Sequence, residues 1–326
     1  MRSRGVLVLA SVLAVAASAA LPTLRAQAPQ TAPEAPAPAA RPGAPLLWRI
    51  EGRVPSYLFG TIHVPDERVL ALPPAVEQAL DHAKALYTEI PMDPATQVGV
   101  MGKVLLPDDK TLPDVIGPEL AGRLSTAVGY ALPENAPAGT AGVLMSMLNR
   151  MKPWAVMSQL SLLEFLPDMM AGRKPLDAML WQRAQQAGKQ VGALETVDEQ
   201  LAVFDRFSMA EQTRMLELTI AEIEHAHRTG GRSTTQQLID TYLTGDLSAL
   251  SKVMQEAMAD DRELMSRFST IAIDERNQLM AERIRARRAA EPETVFFFAV
   301  GAAHYAGPTG IVARLEKAGE TVTRIR

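Results

Sequence analysis

Short apolar runs at both ends of the chain have the pattern of β-strands. Near the amino terminus, residues 46–51 and 56–63 are such runs, and the Gly-Arg-Val-Pro segment between them predicts a hairpin. Near the carboxyl terminus, residues 295–300 have the sequence VFFFAV, which predicts a strand that is covered on both faces. Residues 321–325 alternate polar and apolar side chains and predict a last strand.

Between these ends the pattern predicts mainly helices. Proline-interrupted helical patterns run to about residue 188, and long amphipathic patterns then run to about residue 290. Residues 85–90 and 189–194 are short apolar runs that predict two further strands. We therefore expect an α/β (α+β) fold with a central mixed sheet built from N- and C-terminal strands and a large helical region inserted between them.

The first 28 residues have the layout of an export signal. Arg2 and Arg4 precede an uncharged, apolar run at residues 5–21, and small residues suited to a signal peptidase follow. We expect residues 1–28 to be removed, which leaves an exported protein, periplasmic or extracellular, with no stable membrane span. The alternative is an uncleaved anchor, because the apolar run is at the short limit for crossing a bilayer.

A stretch rich in proline and alanine, residues 29–45, predicts an extended linker ahead of one large domain at residues 46–326. The formal net charge of −4 argues against a nucleic-acid partner, which needs a basic face. The chain contains no cysteine, which excludes a disulfide framework, a thiolate metal site and a cysteine nucleophile. Any metal would therefore be held by His, Asp or Glu.

A G-x-x-H motif occurs twice, each time directly after a predicted strand. Gly60 precedes His63 near one end of the domain, and Gly301 precedes His304 near the other. In open α/β sheets, ligands bind beyond the carboxyl ends of strands, and a glycine there lets the backbone turn tightly and approach a ligand. Each histidine taken alone could instead be a packed residue that bonds a backbone carbonyl.

Two glutamates occupy matching places at strand ends. Glu89 ends the predicted strand at 85–90, and Glu195 follows the one at 189–194. A carboxylate at the end of a buried strand is costly unless it is paired, hydrogen-bonded or bound to a metal. For Glu195 there is an alternative, because a capping box between Thr196 and Glu199 starts a helix there and favours acidic residues nearby.

These residues and their neighbours resemble the TraB/GumN family, which is part of the TIKI-like superfamily of G-x-x-H metalloproteases. The resemblance extends from about residue 46 to residue 326. Its two G-x-x-H elements and the Glu-Arg-Asn element are the specific part. The matching segments are Trp48-Arg49-Ile50, Tyr57 to His63, Thr88-Glu89, Lys152-Pro153-Trp154, Leu194-Glu195-Thr196 with Glu199-Gln200, Tyr242 with Gly245-Asp246-Leu247, Glu275-Arg276-Asn277 and Val300 to His304.

The resemblance implies an active-site set of His63, Glu89, Arg276 and His304, with Glu195 at a recurrent family position. One departure is Tyr305-Ala306-Gly307 after His304, where family members usually carry Leu and a small residue, and we expect it to alter the wall of the pocket and not the chemistry. Without the resemblance, Arg276 would be taken for a solvated arginine on a charge-rich helix.

From these roles we expect a metal-dependent hydrolase. His63 and His304, with Glu89 or Glu195, would hold a divalent metal (Mn, Co or Zn) that polarises a carbonyl and activates a water. The remaining glutamate would act as general base, and Arg276 would stabilise the oxyanion or anchor a substrate carboxylate.

The expected substrate is a peptide or protein, cleaved at a peptide or amide bond. Two alternatives stay open at this point. One is a non-catalytic protein that sequesters a peptide or haem through His63 or His304. The other is a metal-free, esterase-like hydrolase in which His and Glu serve as acid and base.

Overall fold

A computed structural model describes residues 43–134, 136–257 and 260–326 of the chain. The predicted signal peptide at residues 1–28 and most of the predicted linker at residues 29–45 lie outside the described residues. Within the described ranges, no helix combines the length and the apolar character needed to cross a membrane.

The strands of the described residues join in one mixed sheet with the order β4-β3-β5-β2-β1-β6. The strands β4, β3, β5 and β2 run parallel to one another, while β1 pairs antiparallel with both β2 and β6. Their bounds are β1 (Leu47–Ile50), β2 (Ser56–Thr61), β3 (Ala85–Thr88), β4 (Gln190–Ala193), β5 (Phe296–Gly301) and β6 (Val322–Ile325).

The sheet confirms the predicted fold class. The hairpin forms as expected, with Leu47 opposite Phe59 and Ile50 opposite Ser56. Strand β5 inserts between β2 and β3, so the strand near the carboxyl terminus completes the middle of a sheet that begins near residue 47. All six residues of β5 are buried, as its unbroken apolar sequence predicts for a central parallel strand.

Most helices lie in the long segment between β3 and β5, whereas α1 and α2 lie between β2 and β3 and α16 lies after β5. In the described residues they are α1 (Glu67–Leu70), α2 (Pro74–His82), α3 (Pro94–Val104), α4 (Leu112–Ile116), α5 (Pro118–Ala131), α6 (Thr140–Leu148), α7 (Pro153–Leu160), α8 (Leu166–Met170), α9 (Leu176–Gln186), α10 (Val197–Asp205), α11 (Met209–Thr229), α12 (Thr234–Thr244), α13 (Leu247–Ala257), α14 (Arg262–Phe268), α15 (Glu275–Ala290) and α16 (Ile311–Lys317). A π-helical segment, Ser269–Asp274, joins α14 to α15, and a single 3₁₀ turn, Ala302–Tyr305, follows β5.

Aromatic side chains of the central strands form the middle of the core. The ring of Phe298 on β5 lies 5.4 Å from that of Phe296 and 5.9 Å from that of Tyr87 on β3, measured between centroids. On the other side, the ring of Phe297 lies 5.8 Å from that of Phe59 on β2. The strands that carry the site residues therefore rest on tightly packed rings.

The parallel strands bring their carboxyl ends to one edge of the sheet. Thr61, the last residue of β2, pairs with Gly301, the last residue of β5. Strand β3 lies beside β5, and β4 lies beside β3, so that Glu89 and Glu195 follow their strands at the same edge. The topology thus places all four strand ends singled out above next to one another.

We expect Phe298→Ala to lower the free energy of unfolding by about 3–5 kcal/mol, because it leaves a cavity beside the rings of Phe296 and Tyr87. Val143→Ala on the exposed face of α6 serves as the control and should change stability by less than about 0.5 kcal/mol. Urea unfolding followed by circular dichroism measures both. A loss below about 1 kcal/mol for Phe298→Ala would contradict this account of the core.

Candidate active site

Each G-x-x-H motif turns the chain directly off a strand end. Both His63 and His304 are buried, and both side chains face the region beside Gly301. A Cβ atom at Gly301 would lie 3.0 Å from Glu89 Oε1 and 3.4 Å from His63 Nε2. Glycine is therefore needed at the end of β5 because side chains of the site occupy the space that any other residue would fill.

Glu89 lies at the centre of the cluster. Its Oε1 atom is 3.7 Å from His63 Nε2 and 3.9 Å from His304 Nε2, and it accepts a hydrogen bond of 2.7 Å from the Gly301 backbone N–H. Its other oxygen accepts from Gln200 at 3.1 Å and from Arg276 at 2.5 Å. Both carboxylate oxygens therefore have partners although the side chain is only 2% exposed.

Arg276, in the first turn of α15, is buried and forms salt bridges with two carboxylates. Its NH2 group donates to Glu89 at 2.5 Å and to Glu195 at 2.6 Å, and its Nε donates to Glu195 at 3.0 Å. Its NH1 group donates to the carbonyl of Ala272 in the π-helical segment and lies 3.3 Å from His304 Nε2. The interpretation of Arg276 as a solvated helix arginine is therefore wrong, because it neutralises charges that have left water.

Glu195 is connected to the rest of the site by its hydrogen bonds with Arg276. The capping box between Thr196 and Glu199 forms as predicted, which leaves Glu195 free for other contacts. The hydrogen bonds that the structure shows for its carboxylate are all with Arg276, and its backbone N–H donates to the carbonyl of Glu89 at 2.7 Å. The structure thus places Glu195 behind the arginine, whereas Glu89 faces both histidines.

Two residues without a predicted role hold the histidines from behind. His63 Nδ1 donates to Asp177 Oδ2 at 2.5 Å, and Asp177 also accepts from Thr61 at 2.8 Å. His304 Nδ1 lies 2.7 Å from Asn277 Oδ1, whose amide group donates to the carbonyl of Thr309 at 3.0 Å. Because these oxygens accept, each Nδ1 carries the proton, and the Nε2 atoms point to Glu89.

The sequence contains different signals for these two residues. Asn277 lies in the Glu-Arg-Asn element, so its place in the site could have been inferred from the family pattern. Asp177 lies in the first turn of α9, where an acidic side chain is expected for helix stability alone. Only the packing of α9 against β3 and the loop after β2 shows that its carboxylate is 1% exposed and faces His63.

Charges of the cluster shift the histidine pKa values in opposite directions. Burial lowers the pKa of His63, but Asp177 and Glu89 outweigh it and raise that pKa to about 10. Burial, reinforced by Arg276 and only partly opposed by Glu89, lowers the pKa of His304 to about 3. At neutral pH, His304 is therefore a neutral imidazole with a lone pair on Nε2, while His63 is a cation between two carboxylates.

The pKa values of the two glutamates also shift in opposite directions. Burial alone would raise the pKa of Glu89, but Arg276, His304 and His63 hold it well below its usual range. Burial raises the pKa of Glu195, because Arg276 offsets only part of that effect and Glu89 adds repulsion. Glu89 is thus the permanent anion of the cluster.

A small cavity of about 30 Å³ opens at the histidines and Glu89. Glu195 and Arg276 are not among its lining residues, which makes Glu89 the carboxylate that reaches the cavity. The lining residues are Thr61, Ile62, His63, Glu89, Leu238, Tyr242, Leu250, Met254, Gly301, Ala302, Ala303 and His304.

Tyr305 lies elsewhere. Its ring stacks on Trp48 with centroids 4.8 Å apart, and its hydroxyl donates to the carbonyl of Phe59 at 3.4 Å. The expectation that Tyr305 alters the pocket wall is therefore wrong, because its side chain packs into the core beside β1 and is not among the residues that line the cavity.

The donor atoms of the cluster are of the kind that a divalent metal binds. Two imidazole Nε2 atoms face one carboxylate oxygen, and each Nδ1 is held by an oxygen acceptor, as in metal-binding histidines. In arrangement, no group of three or more His, Asp or Glu side chains in residues 43–134, 136–257 and 260–326 is placed so that it could hold an ion. The three donors would have to close on a common centre, and Arg276 NH1 would have to leave His304 Nε2.

Comparison with known proteins gives a consistent picture. The family model described as "TraB/PrgY/gumN family" matches residues 46–324. The chain is 30% identical over 308 residues to "Metalloprotease TIKI1" of Danio rerio and 28% identical over 309 residues to "Metalloprotease TIKI1" of Homo sapiens. These alignments cover 85% of this chain and 62% and 61% of the two relatives, so the chain spans about three fifths of their length.

A bacterial relative is covered more completely. An "Uncharacterized protein" of Treponema pallidum (strain Nichols) is 24% identical over 282 residues, which are 83% of this chain and 80% of that protein. No solved structure matches the chain.

We expect Gly301→Ala to destabilise the protein by about 1–3 kcal/mol, because its methyl group would press on Glu89 Oε1, which the hydrogen bonds of Glu89 to Arg276 and to the Gly301 backbone hold in place. Gly122→Ala in the middle of α5, where nothing lies within 4 Å of the new Cβ, is the matched control and should stabilise by up to about 1 kcal/mol. Chemical unfolding compares the two. Equal stability of both variants would refute the close packing at the end of β5.

Proposed function

Because this chain belongs to the TraB/PrgY/gumN family, we propose that it is an exported, metal-dependent hydrolase that cleaves peptide bonds. The observation that carries this proposal is the convergence of His63 Nε2 and His304 Nε2 on one oxygen of Glu89, at 3.7 and 3.9 Å. The relatives named metalloproteases support it, since they match 85% of the chain.

We assign the metal-holding role to His63, His304 and Glu89. These three line the cavity, whereas the carboxylate of Glu195 bonds Arg276. Mn, Co or Zn suits this nitrogen and oxygen set, and a cation bound there would polarise a carbonyl and lower the pKa of a water.

Asp177 and Asn277 act by orienting the imidazole rings of His63 and His304. Asp177 and Asn277 keep the proton of each imidazole on Nδ1, so that both Nε2 lone pairs are available on the cavity side once His63 gives up its second proton. The hydroxyl of Thr61 donates to Asp177, and the carbonyl of Thr309 accepts from the amide group of Asn277, so that both side chains are held in turn. The histidines therefore do not have to reorient during the reaction.

Arg276 and Glu195 lie beside the proposed metal ligands and have separate roles. The guanidinium balances Glu89 and Glu195, and its NH1 group is the donor nearest to the histidine side of the site. We assign Arg276 to the carbonyl oxygen that gains negative charge, and Glu195 to the positioning of that arginine. The raised pKa of Glu195 also lets it accept a proton if Arg276 moves toward the substrate.

The proposed function also includes a class of substrate and a location of the protein. A peptide or protein is the proposed substrate, and the periplasm or the extracellular space is the proposed location, on the basis of the signal-like first 28 residues.

One observation favours a second candidate, a metal-free hydrolase. Arg276 NH1 already faces His304 Nε2, and His63, with its pKa near 10, is a proton donor beside the carboxylate of Glu89. In this case His63 would be the general acid and Glu89 the general base.

We expect Asp177→Asn to weaken Mn²⁺ binding by about 10- to 100-fold, because His63 loses the carboxylate that fixes its ring and raises its basicity. Isothermal titration calorimetry measures this, and Asp109→Asn on the exposed loop before α4 is the control and should bind like the unmodified chain. Unchanged Mn²⁺ affinity in Asp177→Asn would remove His63 from the metal site.

Metal analysis of the purified protein, followed by digestion of a peptide library with and without chelator and added Mn²⁺, tests the function. We expect chelator-sensitive cleavage, and we expect His304→Ala to abolish both metal uptake and hydrolysis because it removes one of two imidazole ligands. His225→Ala on α11, outside the cluster, is the control and should retain both.

Three other results would each redirect the conclusion. Hydrolysis that resists chelator favours the metal-free candidate. Turnover that persists in His304→Ala after complete metal loss would refute the metal-dependent version. No cleavage, together with a Soret band on addition of haem, would favour the sequestering alternative.

A further inference from the structure

The catalytic cavity is far smaller than any peptide. Its volume of about 30 Å³ exceeds the roughly 10–15 Å³ that one water needs and falls far below the roughly 300–1,000 Å³ typical of ligand pockets. His63, Glu89 and His304 are at most 5% exposed. Part of the cavity wall must therefore move before a peptide bond can reach these side chains.

The wall opposite the histidines is built from two neighbouring helices. Leu238 and Tyr242 come from α12, and Leu250 and Met254 come from α13. Each of the two helices is 11 residues long and contributes two of these four side chains.

Directional bonds tie α12 to the sheet and to α1. The hydroxyl of Tyr242 donates to the carbonyl of Gly60 at the end of β2, at 2.8 Å. Arg68 on α1 donates to Asp240 at 2.9 Å and to Gln236 at 3.1 Å. Movement of α12 would break bonds to β2 and to α1 together, so α12 is the fixed side of the cavity.

The turn between α12 and α13 is also fastened. Arg324 on β6 donates to the carbonyl of Gly245 at 2.5 Å and to that of Pro45 at 3.1 Å. Gly245 has a φ of 70°, in the left-handed region that favours glycine, and a Cβ there would lie 1.8 Å from the carbonyl oxygen of Ala44. The start of α13 is therefore held in place by this turn.

Helix α13 meets the site through apolar side chains. Leu250, 4% exposed, and Met254 reach the cavity beside Ala302 and Ala303. Its first turn is capped by the helix's own Asp246, which accepts from the N–H groups of Ser248 and Ala249. Apolar contacts can be exchanged for other apolar contacts without leaving a buried polar group unpaired.

We propose that α13 is a movable cover of the catalytic cavity, and that a substrate carries an apolar side chain, next to the bond to be cleaved, that takes the place of Leu250 and Met254. With α13 displaced, Ile62 and Leu238 still line the space beside the histidines. Beside these two apolar side chains a charged side chain would lose part of its water, whereas an apolar side chain would gain contacts. This inference rests on the proposed function, because the chain has a bond to cleave only if it is a peptide hydrolase.

The absence of cysteine in the chain allows a direct test of the cover. Leu250→Cys introduces a single thiol under α13, and Leu148→Cys, 2% exposed on α6, is the matched buried control. With a thiol-reactive dye under native conditions, we expect Cys-specific labelling of the first variant to be at least tenfold faster. Equal thermal unfolding of both variants shows that the comparison reports local opening, and equal labelling rates would overturn the cover.

Binding tests the apolar preference without relying on turnover. The probes are three dye-labelled peptides of Gly and Ser with a central Leu-Leu, Asp-Asp or Lys-Lys pair, added to the chelator-treated full chain and followed by fluorescence anisotropy. We expect the Leu-Leu peptide to bind at least tenfold more tightly than either charged peptide. Equal or tighter binding of a charged peptide would overturn the preference.

The two proposals fail separately. If the labelling and binding results hold but no peptide is cleaved, the hydrolase proposal fails and the cover stands. If peptides are cleaved while the thiol at position 250 reacts no faster than that at position 148, the cover is overturned and the hydrolase proposal stands.

Discussion

The pairing of one buried guanidinium with two buried carboxylates is the constraint on which the rest of the site depends. Arg276 NH2 lies 2.5 Å from Glu89 and 2.6 Å from Glu195, and all three side chains are almost fully removed from water. Desolvation costs several kcal/mol for each ion, so that none of the three is stable there without the others. This pairing therefore fixes α15 against the ends of β3 and β4.

The orientation of the histidines follows from this pairing. Because Arg276 and the Gly301 backbone hold Glu89 in place, its Oε1 is a fixed point toward which both imidazoles are directed. Burial, reinforced by Arg276, keeps His304 neutral, whereas Asp177 and Glu89 overcome the effect of burial and keep His63 charged in the absence of a competing cation. A TraB/PrgY/gumN domain thus combines an anion, a neutral imidazole and a charged one around a cavity of the size of a water.

Much of this arrangement is predictable, because it depends on local patterns. The apolar sequence of β5 predicts a strand buried on both faces, and Glu89 after a buried strand predicts a carboxylate with partners. Asp177 could not be found in this way, since an acid in the first turn of a helix has a sufficient local explanation. The departure from the family pattern at Tyr305 predicts a changed pocket wall, but the turn after β5 directs its ring onto Trp48.

The sequence by itself determined the strands, the α/β class and the two motifs that carry the histidines, because these depend on the periodicity and chemistry of neighbouring residues. The tertiary structure alone decided which glutamate faces the histidines, which residues hold them from behind, and that α13 covers them. These contacts join residues that are far apart in the chain, such as Glu89 and Arg276, which are 187 positions apart. Their partners are set by the order of strands in the sheet and by the packing of helices across its edge, which no local pattern specifies.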